Sequence, residues 1–274
     1  MIIGFLGKGG SGKSSTATQF ALWLEKEGYS LLAIDADHNM DFLYNLTQGK
    51  EVLSHFLGSS GFDIEDFLDA DHSKKYKEIF LETKSKHKFS LLPLDSFSEK
   101  YISSIRKNIR VMAAGPQTDE VIGGKVCSHN LTSVLKLYLP LLQVPDKHIV
   151  VVDEKAGADG VTTGIVTGLD YAIVVCEPSL HSTKTARQIL SLLEKYNTPK
   201  VVVGNKITSP EDMDFISQEI PDEAIIFIPA SSGVRTKPSE YDPQYEEALQ
   251  NLFQYLLENY EDKRYERTLE KFSS

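Results

Sequence analysis

An apolar run, IIGFLG, feeds without a break into KGGSGKSS, and this junction limits the possible folds more than any other stretch of the 274-residue chain. The pattern G-x-x-x-x-G-K-[ST] fills positions Gly7 to Ser14. It works only where a strand ends, a loop turns and a helix begins. Gly9, Gly10 and Gly12 let backbone N–H groups turn inward around phosphate oxygens, and the first turn of the helix adds its positive dipole end. Lys13 can reach the terminal phosphates, and the Ser14 hydroxyl can ligate Mg²⁺. Gly9, Gly10, Ser11, Gly12, Lys13, Ser14 and Ser15 are thus the candidate contacts to a nucleotide such as ATP.

The rest of the chain repeats the same alternation. Short apolar runs at residues 2–6, 30–34, 110–113, 148–152, 171–176, 200–204 and 224–228 read as strands. Runs such as IVVVD and YAIVVC are apolar almost throughout, which marks strands buried on both faces of a parallel sheet. Between them lie helical patterns, as at residues 14–27, where Ala17, Phe20, Ala21 and Leu24 recur at helix spacing before Gly28. The expected fold is α/β: a doubly wound, mostly parallel sheet flanked by helices, forming a single domain over residues 1–274. Residues 43–108 are charged and mixed, and read as a helical insertion. A last helix is expected over residues 243–260, with Leu249, Leu252, Phe253, Leu256 and Leu257 on one stripe. Membrane-surface helices need a basic polar face. Here that face carries Glu246, Glu247, Glu258 and Glu261, so the stripe is expected to pack on the core.

Carboxylates stand where a phosphate site needs them. Asp153 ends IVVVD, at the same sheet edge as the glycine loop, and can hold Mg²⁺ directly or through water. Asp35 and Asp37, in IDADHNMDF, end the second strand. One can orient a water against the γ-phosphate while the other supports the metal; Asp37 is assigned the water and Asp35 the metal. The alternative is that one of the two caps a helix. His38 and Asn39 are read as local hydrogen-bonding residues.

The charge balance, Lys+Arg 29 against Asp+Glu 39, argues against general attraction to nucleic acid or anionic membrane. Two cysteines, Cys127 and Cys176, cannot form a disulfide framework, which suits a reducing cytoplasm. Cys176 sits inside an apolar strand and reads as core. No secretory leader and no run long enough to span a membrane are visible.

One lysine suffices for a phosphate loop, yet Lys8 adds a second directly after Gly7. KGGSGKSS resembles the deviant Walker A motif, K-G-G-x-G-K-[ST]-[ST], of the MinD/ParA family of P-loop ATPases. DADHN is similar to that family's switch I, and VVVDEKAGADG to its Walker B and switch II. GLDYAIVVCEPSLHSTKTARQI and VVVGNKI extend the resemblance over nearly the whole chain. It implies an ATPase that hydrolyses ATP slowly as a homodimer, with Lys8 reaching the nucleotide of the other subunit. It also implies that Asn205 contacts the adenine and that IPASSGV closes over base or ribose.

Within the family the chain resembles most the ATPases that mature carbon monoxide dehydrogenase, the CooC-type nickel-insertion proteins. The resemblance rests on VMAAGPQTDEVIGGKVCSHNLTSVLK followed by VVVDEKAGADG. Those relatives carry a Cys-x-Cys pair, and two pairs meeting across a dimer hold one metal ion with four thiolates. Here Lys125 occupies the first cysteine position. Cys127 and His129 remain, and a symmetric dimer would offer Cys₂His₂ for zinc or nickel. The alternative is that Cys127 is a small loop residue and His129 caps a helix. The expected role is a switch in metalloenzyme maturation, with a client such as a carbon monoxide dehydrogenase. The competing role is a ParA- or MinD-like organiser cycling on DNA or membrane. A metabolic ligase or kinase on the same fold would not need Lys8, and an iron–sulfur reductase would need two interface cysteines per subunit.

Overall fold

The continuous apolar runs become strands because both of their faces have helices to bury against. The computed structural model describes residues 1–83, 85–117, 131–162 and 164–273. Its main sheet has eight strands in the order β10-β9-β8-β1-β7-β2-β5-β4. These are β1 (Ile2–Gly7), β2 (Ser30–Asp35), β4 (Ser103–Ser104), β5 (Ile109–Ala113), β7 (His148–Asp153), β8 (Tyr171–Cys176), β9 (Lys200–Ile207) and β10 (Ile225–Pro229). All neighbours are parallel except the short β4, which pairs antiparallel with β5 at the edge. A separate two-residue pair joins β3 (Phe89–Ser90) to β6 (Leu142–Gln143). The seven strands expected from sequence are all present. The short β3, β4 and β6 were not anticipated.

Alternate residues of each strand feed two cores. Ile3, Phe5, Ala33, Val151 and Val175 face α1 (Lys13–Lys26) and the helix Glu246–Glu258. Ile2, Leu6, Ile34, Val152 and Val174 face the helices Leu180–Lys195 and Pro210–Glu219 and the side chains of the 57–101 region. That region contains three short helices, Gly61–Phe67, Tyr76–Glu82 and Ser96–Tyr101, preceded by α2 (Asp41–Thr47). Its Ile64, Phe80, Phe89 and Phe97 join the same cluster as the strands.

The C-terminal stripe packs as expected through Leu249, Leu252, Phe253 and Leu256, with Phe253 edge-on to Trp23 of α1 at 5.6 Å. Leu257 departs from the expectation: it is 51% exposed, because it lies just past the buried edge of the stripe. A further helix, Arg264–Ser273, was not foreseen. It docks through polar groups: Arg264 pairs with the buried Asp170 at 3.0 Å, and Thr268 bonds to Thr167 at 3.0 Å. The Arg264–Asp170 contact is close but not aligned as a hydrogen bond. Asp170 also accepts the Ile2 N–H at 2.7 Å, which ties the helix to the start of β1. Cys176 is fully buried and its thiol is pushed up to about 12 by burial, consistent with a core residue. No helix among the described residues is long and apolar enough to cross a membrane.

Candidate nucleotide-binding site

The order of strands about β1 fixes where a ligand can sit. The chain crosses from the β7 side to the β8 side there, so the helices on the two sides diverge and leave a crevice at the carboxyl ends of the strands. The glycine loop lies in this crevice, between β1 and α1. A cavity of about 990 Å³ opens over it, lined by Lys8, Gly9, Gly10, Gly12, Lys13, Ser14, Ser15 and Asp37 on the loop side. Asn205, Lys206, Ala230, Ser231, Arg235 and Tyr245 line the other end.

The loop backbone is ordered in one sense. Its carbonyls have protein donors: Gly7 O takes Gly157 N–H at 2.8 Å, Lys8 O takes Ser11 N–H at 3.1 Å, and Gly12 O takes Thr16 N–H at 2.8 Å. Gly10 O takes Lys206 Nζ at 2.6 Å, and Ser11 O takes Asn205 Nδ2 at 2.9 Å. The N–H groups of Gly9, Gly10, Gly12 and Lys13, by contrast, find no acceptor among the described residues. Carbonyls outward and amides free is the polarity an anion requires. A side chain at Gly12 would be strained: its φ is +91°, in the left-handed region, and a Cβ there would run into Asn205 Nδ2. Ser11, a candidate contact, differs from the rest. Its side chain is buried and its N–H closes the turn onto Lys8, so it shapes the loop without lining the cavity.

Lys13 is 6% exposed and its Nζ lies 2.6 Å from Asp153 Oδ1. Burial works against the Lys13 ammonium, but Asp153, backed by Asp37 and Asp35, outweighs it and raises the Lys13 pKa. Asp153 itself is fully buried, and burial raises its pKa against the opposing pull of Lys13 and of the Ser14 side chain. Its Oδ2 has no partner among the described residues. Hard oxygen donors, one of them buried and unpartnered, fit a small divalent cation such as Mg²⁺.

Asp35 and Asp153 are register partners on adjacent parallel strands, so both carboxyls project to the α1 side. Burial, and then Asp153, push Asp35 up to about 8. Both Asp35 oxygens accept backbone groups, Oδ1 from Asp37 N at 3.1 Å and Oδ2 from Leu43 N at 2.8 Å. Asp35 therefore holds the start of α2, the capping alternative weighed from sequence, and it does not line the cavity. Asp37 does line it, with Oδ1 accepting from Asn39 N at 3.2 Å and lying 3.4 Å from His38 Nδ1. Lys8, partly exposed at the rim, makes among the described residues only a 3.4 Å contact with the neighbouring Gly9 carbonyl.

Two residues escaped sequence reasoning. Glu154 directly follows the last residue of β7; it is buried, and burial pushes it up to about 8. In VVVDE the acid that ends the strand drew the reading to Asp153 alone. Lys206 stands beside Asn205 in VVVGNKI, but its contact with the loop depends on a local backbone irregularity that no pattern announces. Asn205 reaches the loop with Nδ2 and keeps a buried Oδ1 without a partner among the described residues. Cys127 and His129, with Lys125, lie outside the described residues. Among the described residues no group of three His, Cys, Asp or Glu side chains is placed to hold a metal.

The family model described as CbiA, the CobQ/CobB/MinD/ParA nucleotide binding domain, matches residues 2–244. The chain is 28% identical over 235 residues to an uncharacterized ATP-binding protein of Methanocaldococcus jannaschii, covering 85% of this chain and 90% of that one. It is also 28% identical over 218 residues to the carbon monoxide dehydrogenase accessory protein CooC of Rhodospirillum rubrum, covering 79% and 78% of the two chains. A solved ParA family ATPase from Chlorobium tepidum shares the fold, with a TM-score of 0.59 at 20% identity over 100% of this chain and 97% of that one.

Proposed function

The chain belongs to the CobQ/CobB/MinD/ParA nucleotide-binding family, and we propose that within it the protein is an Mg-ATP-dependent ATPase whose dimerisation switches a metalloenzyme-maturation step. One observation carries the proposal: Lys13 is paired with Asp153, whereas among the described residues Lys8 has no carboxylate partner and only a 3.4 Å contact with the Gly9 carbonyl. A cation at the rim of this kind suits completion of the phosphate site of a second copy. Developing charge on the transferred phosphoryl group is then neutralised only when two subunits close together.

The remaining roles follow from position. The free loop amides and Lys13 bind the phosphates. Ser14 and Asp153 would hold Mg²⁺, which when bound offsets the charge of the β- and γ-phosphates. Asp37 faces the cavity and orients the attacking water, while Asp35 serves that arrangement by fixing α2. Asn205 Oδ1, buried and unpartnered, is an acceptor suited to an adenine amino group.

The test is light scattering of the wild-type protein with Mg-ATP and with Mg-ADP. A two-fold dimer is expected with ATP alone, with turnover per subunit that rises with protein concentration. Monomers throughout, with turnover independent of concentration, would sink the switch.

The maturation role rests on the similarity to CooC and on the sequence around Cys127. If Cys127 and His129 from two chains form one site, the dimer should bind about one zinc or nickel ion per two chains. Binding should strengthen as pH rises, since thiolate and neutral imidazole are the ligating forms. Cys127→Ser removes both sulfurs at once and should lose most of the metal while keeping its ATP affinity. Equal metal content in wild type and variant after nickel or zinc loading would reduce Cys127 to a loop residue and send the search for a client elsewhere. The organiser role predicts instead ATP-dependent sedimentation with DNA or vesicles. Against the membrane form of that role, the stripe of the helix Glu246–Glu258 is already buried against α1.

A further inference from the structure

Consecutive residues of a strand point to opposite faces, yet Asn205 and Lys206 of β9 both grip the glycine loop, on adjacent carbonyls. The backbone explains how. Between β9 and β10 the register runs from Gly204 opposite Phe227 to Ile207 opposite Pro229, so two residues of β9 stand against one of β10. This is a bulge, a device that bends a strand and re-aims a side chain. Lys206 takes φ +62° within it, a left-handed conformation that a lysine rarely keeps unless its surroundings hold it there. What holds it is a strap: Lys206 Nζ donates to Gly10 O at 2.6 Å and pairs with Glu177 at 2.7 Å, just beyond the end of β8.

We propose that Lys206 is a positioning residue for the phosphate cradle, holding the Gly10 carbonyl outward so that the loop amides stay turned toward the phosphates. Gly10 is the exposed tip of the loop, with φ +84° and nothing within 4 Å of where a Cβ would stand. Two bonds therefore set the Gly10–Ser11 peptide: its N–H donates to Lys8 O at 3.1 Å, and among the described residues the charged donor on its carbonyl is Lys206. Without Lys206 the turn bond alone would hold the peptide, and the carbonyl oxygen can swing toward the phosphate, replacing attraction by repulsion. Asn205 secures the next carbonyl from the same bulge, and Glu177 keeps the lysine from swinging into the cavity that it lines.

The inference rests on the reading of this cavity as a nucleotide site, and the experiment separates the two. Binding of Mg-ADP and of a non-hydrolysable Mg-ATP analogue is measured by calorimetry for wild type, Lys206→Met, Lys206→Arg and Glu177→Gln, with ATP turnover alongside. Lys206→Met should weaken both nucleotides about 10-fold, the scale of one charged hydrogen bond. KM should rise in step, while kcat at saturating ATP falls far less. Lys206→Arg should restore binding to within about threefold of wild type, since a guanidinium can donate to both the carbonyl and the carboxylate. Glu177→Gln should weaken binding by a smaller factor, and all variants should unfold at the wild-type temperature without nucleotide. Equal affinity in wild type and Lys206→Met overturns the strap. So does tighter binding by Glu177→Gln, because a lysine that ligates phosphate directly would be released by losing its carboxylate partner. Early unfolding of Lys206→Met with no recovery in Lys206→Arg overturns it as well. A wild-type protein that binds neither nucleotide overturns the nucleotide site itself.

Discussion

Lys13→Ala is expected to abolish measurable ATP binding and turnover. Two charge-assisted contacts from the ammonium to phosphate oxygens, at about 1.5–3 kcal/mol each, correspond to a loss of roughly 10²–10⁴ in affinity. A second effect acts on the free protein. Lys13 is the cation that faces the fully buried Asp153, with Asp35 in register beside it and Asp37 close by. Removing one partner of a buried pair typically costs about 3–5 kcal/mol, and here protonation of Asp153 would recover part of it. The variant should therefore unfold at lower denaturant concentration, by an amount that shrinks as the pH is lowered. Calorimetric titration with Mg-ATP and denaturant curves at two pH values read the two effects separately. Wild-type affinity in Lys13→Ala would mean that the cavity binds its ligand by some other means.

Lys8→Ala is expected to show the opposite division. Among the described residues its side chain touches only the Gly9 carbonyl, at 3.4 Å, so folding and the first binding of nucleotide should change little. Turnover should collapse, because a cation supplied across an interface to a phosphoryl-transfer site accounts for about 10³–10⁵ in rate in related chemistry. Mixing supplies the decisive measurement. Lys8→Ala retains its own cradle and lacks the donated charge; Lys13→Ala lacks the cradle and retains Lys8. Adding Lys13→Ala subunits to Lys8→Ala subunits should restore activity at the intact cradles, up to a limit set by heterodimer formation. No recovery at any ratio, with dimers present, would show that Lys8 acts within its own chain.

Much of this architecture was legible in the sequence because the residues that specify it are apolar and periodic. HIVVVD and YAIVVC read as doubly buried strands, and the structure buries them on both faces. The helix Arg264–Ser273 was missed for the converse reason. Its sequence, RYERTLEKFS, buries Arg264, Arg267 and Thr268, while Leu269 is 37% exposed, so hydropathy points the wrong way. The loop and the carboxylates stand out in the sequence because phosphate chemistry fixes their spacing. The different settings of Asp35 and Asp37 do not, since Asp35 ends β2, Asp37 follows two residues later, and only the backbone groups of Asp37 and Leu43 decide which becomes a cap. Lys206 lay beyond reach for a third reason: a bulge reverses the alternation from which its direction would be read.

The staple around Asp170 has a mechanical consequence. It joins the first residues of β1 to the helix Arg264–Ser273, at the end of the sheet farthest from the glycine loop. β1 is thus bolted at its foot and flanked by β7 and β8 along its length, which makes it a poor element to move. At its head the loop after β7 is tied back to the same strand, Glu154 N–H donating to Phe5 O at 3.0 Å and Gly157 N–H to Gly7 O at 2.8 Å. A foot this firmly held leaves the carboxyl ends of the strands as the place where a change in the cavity can register. A partner sensitive to the cavity's contents is therefore expected to touch that rim and not the far end of the sheet.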